Sequence, residues 1–319
     1  MIMKNELEKN KIDLVYLWVD GSDPKWLEKK LKFTGVFDDS TEVNNIGRYI
    51  SNDELKYSLR SIEKNIPWIN KIYIVTDDQR PHWLNINHPL IQIVDHKEII
   101  PEEALPCFNS AVIEYFVYKI PGLQEHFLLA NDDQFFNKKL TPEYFFNQDG
   151  LPIVRLKKKI TGKWHYKIKG LFRKHLGQYI STVIEGAKIV EKLYGVYYSA
   201  IPHHNTDAYL KSDYKYAIEN VFDKQVSKSL SSHIRQYGDL QRCAISYYTL
   251  AVGKAEVKYV GRKESSRINV QRKNYYAYLK KYNPDQFILN DGQHANEDDR
   301  KRIKPFLESI YPDKSSFEL

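Results

Sequence analysis

Cysteine is almost missing from this chain: 319 residues hold only Cys107 and Cys243, far apart and without metal-ligand spacing. That scarcity excludes a disulfide framework and a cysteine-based zinc site, and it suits a reducing compartment. Long apolar runs are missing too, since no window approaches the roughly 18 uninterrupted apolar residues of a spanning helix. The opening MIMKNELEKNK is charged and lacks an apolar core, so it does not read as a secretion signal. Acid is the minority charge, 41 Asp and Glu against 48 Lys and Arg, which leaves +7 and a pI near 9.0. The surplus favours anionic ligands such as phosphates, nucleic acid or acidic lipid heads without choosing among them. The expectation is a cytoplasmic protein, soluble or at most peripheral at the inner face of a membrane.

Acid is scarce, yet it is placed pointedly. Short apolar runs recur, and three of them end in carboxylates: IDLVYLWV (12–19) before Asp20, KIYIVTDD (71–78) with Asp77 and Asp78, and HFLLANDD (126–133) with Asp132 and Asp133. A further run, IQIVD, covers 91–95. Between them, NDELKYSLRSIEKNI (52–66) carries Leu55, Leu59, Ile62 and Ile66 on one helical face, with Ser51 or Asn52 available as cap. SAVIEYFVYKI (110–120) reads as a second helix, begun by Ser110. Alternating strands and helices predict an α/β fold, Rossmann-like, with a mainly parallel sheet flanked by helices and a mostly helical C-terminal part. One catalytic domain, 1–319, is expected, with a basic insertion around 155–190.

Open α/β sheets bind ligands outside the carboxyl ends of their strands, so the acids there read as a site. Carboxylate oxygens suit Mg²⁺, which keeps substrate phosphates and waters as its remaining ligands. The plainer reading makes Asp132 a cap and Asp133 a solvated turn residue.

Longer stretches carry a resemblance. IDLVYLWVDGSDPKW, NDELKYSLRSIEKNIPWINKIYIVTDDQRPHWLN and LPCFNSAVIEYFVYKIPGLQEHFLLANDDQFF resemble the opening blocks of the Stealth family. IPHHNTDAYLKS with HIRQYGDLQRCAISYYTLAVG is similar to its third block, and FILNDGQHANEDDRKRIKPFLESIYPDKSSFE to its fourth. Stealth proteins include bacterial capsular and exopolysaccharide phosphotransferases and the animal N-acetylglucosamine-1-phosphotransferase. The resemblance implies a nucleotide-sugar-transferase-like fold and a Mg²⁺ or Mn²⁺ cofactor. Its implied reaction moves hexose-1-phosphate from a UDP-sugar to a hydroxyl of a glycan acceptor, in some cases lipid-linked, with release of UMP.

The same resemblance assigns roles. Asp132, Asp133, Asn290 and Asp291 are the expected metal and diphosphate ligands, although Asn-Asp-Gly is also a good turn sequence. His204, with Asp207 three residues on, is the preferred base; its neighbour His203 leaves the register open, and Asp133 is a rival. Arg235 is expected on the transferring phosphate, or else paired with Asp239 four residues on. Trp18, Asp20, Gly21 and Ser22 are candidates for the nucleotide, Gly21 by letting backbone approach the ligand; a strand Trp is equally a core residue. Arg60 reaches phosphate or pairs with Glu63, and Asn109 and Ser110 open a helix able to meet an anion or simply cap it. Ser51 stands where many family members carry an acid, and the animal enzyme's large insertions are absent, which favours a bacterial polysaccharide role.

The segment 155–175 holds nine Lys and Arg and no acid, interleaved with Trp164, Tyr166 and Phe172. It suits an anionic membrane, a phosphate-bearing glycan or plain solvent. It also motivates a rival, a nucleic-acid-binding module, which contains no recognisable motif and leaves the acidic strand ends unexplained. A metal-dependent glycosyltransferase forming a glycosidic bond is the second rival.

Overall fold

The computed structural model describes residues 11–35, 46–159, 164, 177–292 and 294–319. Its main sheet takes strands β1 (Ile12–Leu17), β2 (Lys71–Thr76), β3 (Ile91–Asp95) and β4 (His126–Asn131) in the order β3-β2-β1-β4, all parallel. A fifth strand, Asp207–Leu210, closes the β4 edge antiparallel. The α/β, mainly parallel expectation holds. Order 3-2-1-4 reverses between β1 and β4, the place where such sheets open a crevice.

Period-2 alternation loads both faces of the sheet. Val15, Val75 and Leu129 face one core with helix α3 (Ser110–Tyr115), α4 (Gln178–Tyr194) and α5 (Cys243–Ala251); Leu14, Ile74 and Leu128 face another with α2 (Glu54–Asn65), which follows α1 (Pro24–Thr34). On α4, Gly186 lies against α5, where an added Cβ would sit 3.0 Å from Ala244 Cβ, so a side chain there would part the two helices.

Immediately after β4 the chain turns through Asp132 and Asp133 into β5 (Gln134–Phe136). That strand joins a second sheet, in which Gln286–Asn290 pairs antiparallel with β5 and parallel with Ser265–Asn269. The two acids thus stand where the chain crosses between sheets. We call the last two strands β7 (Ser265–Asn269) and β8 (Gln286–Asn290), with the Asp207–Leu210 edge strand as β6.

Several boundaries differ from the expectation. Helix α2 begins at Glu54: the Asn52 N–H and side-chain amide donate to the Glu54 carboxylate, at 2.5 and 2.8 Å, so neither Ser51 nor Asn52 is the cap. The expected helix 110–120 closes at Tyr115 and continues as a 3₁₀ turn over Val117–Lys119, and Asn109 caps it. The C-terminal part is mixed, because β7 and β8 run between its helices. Within the expected basic insertion, Ile153–Lys157 is a strand and Gln178–Tyr194 a helix, while 160–163 and 165–176, including Tyr166 and Phe172, lie outside the described residues. Arg155 is buried, its guanidinium 3.6 Å from the centroid of the Tyr144 ring. Among the described residues no helix is long and apolar enough to cross a membrane.

Candidate active site

A cleft of about 510 Å³ opens across the carboxyl edge of the main sheet. Trp18, Asp132, Asp133, Ser110, His204, Arg235, Asn290 and Asp291 all line it. Segments remote in sequence meet there because β1, β2 and β4 end on one edge, antiparallel β6 begins on it with Asp207, and β7 and β8 form the opposite wall.

The floor is acidic and its charge is unmet. Burial, then the nearby Glu54 carboxylate, push Asp132 up to about 7. Burial, then Asp132 and Glu54, raise Asp133 as well. Asp133 Oδ1 is buried and accepts no hydrogen bond. Glu54 is also raised, by burial first and by Asp291 among the rest. Among the described residues no three His, Cys, Asp or Glu groups already converge on one point. Two adjacent carboxylates with an orphaned oxygen nevertheless fit a hard cation that takes its other ligands from phosphate and water. Asp291 differs, because Arg300 spans both its oxygens at 2.6 and 3.0 Å.

The doubled histidine is resolved by backbone. His204 has φ 63°, and the chain turns there so that the two rings part. His203 is buried with Nε2 3.4 Å from Asp207, while His204 lines the cleft edge-on to Tyr179. Asp207 therefore serves His203 and Arg242, not His204 as the spacing suggested. Burial, then the Arg267 and Arg242 charges, hold His204 down at about 3, so its imidazole is neutral.

Arg235 donates to Ser110 Oγ. Its alternative partner Asp239 instead accepts from Asn109 Nδ2 and the Gln236 N–H, each at 2.7 Å. Asn109 is fully buried and ties α3 to that loop, away from the cleft lining. Asp20, Gly21 and Ser22 do not line the cleft either. Asp20 accepts from the Ser22 N–H and hydroxyl at 2.9 and 2.6 Å, and Gly21 makes room for the chain itself: a Cβ there would lie 2.5 Å from the Tyr49 carbonyl oxygen. Arg60 is the clearest displacement. It holds Glu318 at 2.7 and 2.9 Å on the far side of α2, bonded neither to Glu63 nor to anything in the cleft.

Arg242, not singled out from sequence, sits under the cleft with hydrogen bonds to Glu114 (3.0 Å), Asp207 (3.1 Å) and Asn131 (3.3 Å). It fastens α5 to α3, to β6 and to the tip of β4 beside the acidic pair. Glu54 was missed for another reason, since NDEL reads as an ordinary helix start. Arg242 left a faint trace: Glu114 interrupts one apolar helix and Arg242 precedes another, and a charge that close to a core requires a partner.

Residues 10–35 match the Stealth protein conserved region 1, and residues 48–154 match its conserved region 2. In these two regions the chain is similar to the Stealth family. Over 325 residues it is 31% identical to the capsular polysaccharide phosphotransferase SacB of Neisseria meningitidis serogroup A, a match covering 96% of this chain and 57% of that protein. Over 141 residues it is 47% identical to the exopolysaccharide phosphotransferase cps2G of Lactiplantibacillus plantarum, covering 44% of this chain and 41% of that one. The chain thus spans about half the length, or less, of these Stealth relatives. Among solved structures, the galactosyltransferase LgtC in complex with donor and acceptor sugar analogues is 9% identical with a TM-score of 0.46, over 95% of this chain and 96% of that one. Both matched Stealth regions supply the cleft, region 1 through Trp18 and region 2 through Glu54, Asp132 and Asp133.

Proposed function

We propose that this protein transfers hexose-1-phosphate from a UDP-sugar to a hydroxyl of a glycan acceptor in capsular or exopolysaccharide synthesis. One observation carries the reading: a buried acidic pair, a neutral imidazole and the guanidinium groups of Arg235, Arg242 and Arg267 share a single cleft to which both Stealth regions contribute. The Stealth relatives' names point to phosphotransfer, and a phosphotransferase needs charge stabilisation and alignment more than covalent chemistry.

In this reaction the acceptor oxygen bonds to the phosphorus that bears the sugar. The bond from that phosphorus to the bridging oxygen breaks, and UMP leaves with the bond's electron pair. The acceptor proton passes to His204 at its free ring nitrogen. Burial is the main force holding His204 down; anionic phosphate entering beside Arg267 and Arg242 offsets the two charges that add to it, so substrate binding shifts the base upward. Arg235, steadied by Ser110, faces the phosphoryl oxygens. Arg242 keeps the β4 tip, and with it the acids, in place.

Asp132 and Asp133 would hold a Mg²⁺ or Mn²⁺ ion, with Glu54 adding negative charge; bound there, it would neutralise diphosphate charge and stabilise the leaving group. Asp291 is satisfied by Arg300 and, with Asn290, stays outside this ligand set. Trp18 at the cleft wall is the candidate to lie against the base. The described start of the 155–175 stretch, Lys157 to Lys159, keeps its role toward an anionic, lipid-linked acceptor at the inner membrane face as part of this reading.

Incubating the protein with UDP-sugars, Mg²⁺ or Mn²⁺ and capsular glycan, and identifying the nucleotide released, tests the proposal. UMP with a phosphodiester signal in ³¹P NMR supports it. UDP would mean a glycosidic bond, and oligonucleotide binding without turnover of any donor would return the nucleic-acid reading.

A further inference from the structure

Several charged groups in the cleft are engaged by other side chains: Arg242 by two carboxylates, Asp291 by Arg300, Arg235 by Ser110. The β7 wall is different. Strand alternation buries Ile268 in the core beneath the second sheet and turns Arg267 and Asn269 to the other side, while Gln271 follows buried Val270 in the turn just after the strand. Arg267, Asn269 and Gln271 line the cleft, and among the described residues none of the three side chains makes a hydrogen bond or ion pair.

Their position relative to the reacting groups is fixed by electrostatics and register. The Arg267 charge acts on both Asp133 and His204, and all three residues line the one cleft. Asn269 pairs in register with Asn290 of β8, which also lines the cleft, and the Leu289 N–H just before it donates to the Asp133 carbonyl at 3.1 Å, so the row runs along the wall that adjoins the acids. A guanidinium followed by two amides matches a phosphoryl group followed by a ring of hydroxyls.

We infer that Arg267, Asn269 and Gln271 form the subsite for the sugar-phosphate half of the donor. Arg267 takes the phosphoryl oxygens nearest the sugar, and the two amides read the sugar hydroxyls. This rests on the function proposed above and adds to it the part of the site that selects the donor.

Calorimetric titration of the full chain, with Mn²⁺ present, against UMP, UDP and UDP-N-acetylglucosamine or UDP-glucose separates the contributions. Asn269→Ala and Gln271→Ala should each weaken UDP-sugar binding roughly 3- to 10-fold, about one hydrogen bond apiece, with UDP binding unchanged. Arg267→Met should weaken UDP and UDP-sugar alike by roughly 10-fold or more and leave UMP unchanged. Equal losses for all the nucleotides, or none, would overturn the subsite. So would amide variants that bind every nucleotide normally but raise the acceptor KM, because the wall would then belong to the acceptor. A parent protein that binds no nucleotide at all would overturn the proposed function itself.

Discussion

Helix α2 presents two charged groups to two different regions, and their fates are opposite. At its start, Glu54 faces Asp132 and Asp133, none of which forms an ion pair among the described residues, and burial raises all three carboxyls. Further along, Arg60 faces Glu318, which also accepts from Ser315 at 2.9 and 3.1 Å. Burial pushes Glu318 up, but Arg60 and Ser315 outweigh it and hold the carboxyl at about 2. The tail beside it is a completed structural joint; the cleft is a set of charges still needing a partner. Buried polar groups that are fully paired explain themselves by folding, whereas unpaired ones point to a ligand.

Breaking the cleft should cost activity without costing the fold. Asp133→Asn should lower turnover about a thousandfold or more while leaving thermal stability in metal-free buffer equal or higher, since it removes a buried repulsion. Steady-state kinetics beside a melting curve check both halves. Breaking the joint should do the reverse: Arg60→Met takes the two-pronged partner from the buried Glu318, leaving it Ser315 and the longer 3.5 Å contact from Lys56, and should cost about 3 kcal/mol in chemical denaturation, with kcat little changed. His204→Gln should reduce kcat about a hundredfold, again without a change in stability.

The two regions should also titrate with opposite sign. Glu318 is lowered on folding, so its stabilisation is full above about 4.5 and is lost as pH falls toward 2. Asp132 is raised to about 7, so without a cation its ionisation destabilises the fold as pH climbs from its usual 3.8 through 7. Metal-free protein should therefore melt higher near pH 5 than at pH 8 and lose stability again below 4.5. Differential scanning fluorimetry across that range would show the dome.

What could be read from sequence followed from local pattern. Strands β1 to β4 announce themselves as short apolar runs, and their acidic ends flagged Asp132 and Asp133 because an ionised pair after a buried strand is costly. Pairings over long separations were not legible: Arg60 meets Glu318 across 258 residues, and Arg242 meets Glu114 across 128 and Asn131 across 111. Gly21 illustrates the divide. Its need for close approach is visible in the turn sequence, but that Tyr49, not a ligand, comes close is decided by the fold. Likewise His203 and His204 are indistinguishable as letters and are separated only by the left-handed backbone at His204.

The contrast between a finished joint and an open cleft is tested most directly by Mn²⁺ binding at pH 8, followed by calorimetry and by the rise in melting temperature, in the parent, Asp133→Asn and Arg60→Met proteins with UDP present. The parent and Arg60→Met should bind the ion and gain stability, and Asp133→Asn should do neither. Equal binding by the parent and Asp133→Asn, or no binding by the parent, would contradict the account.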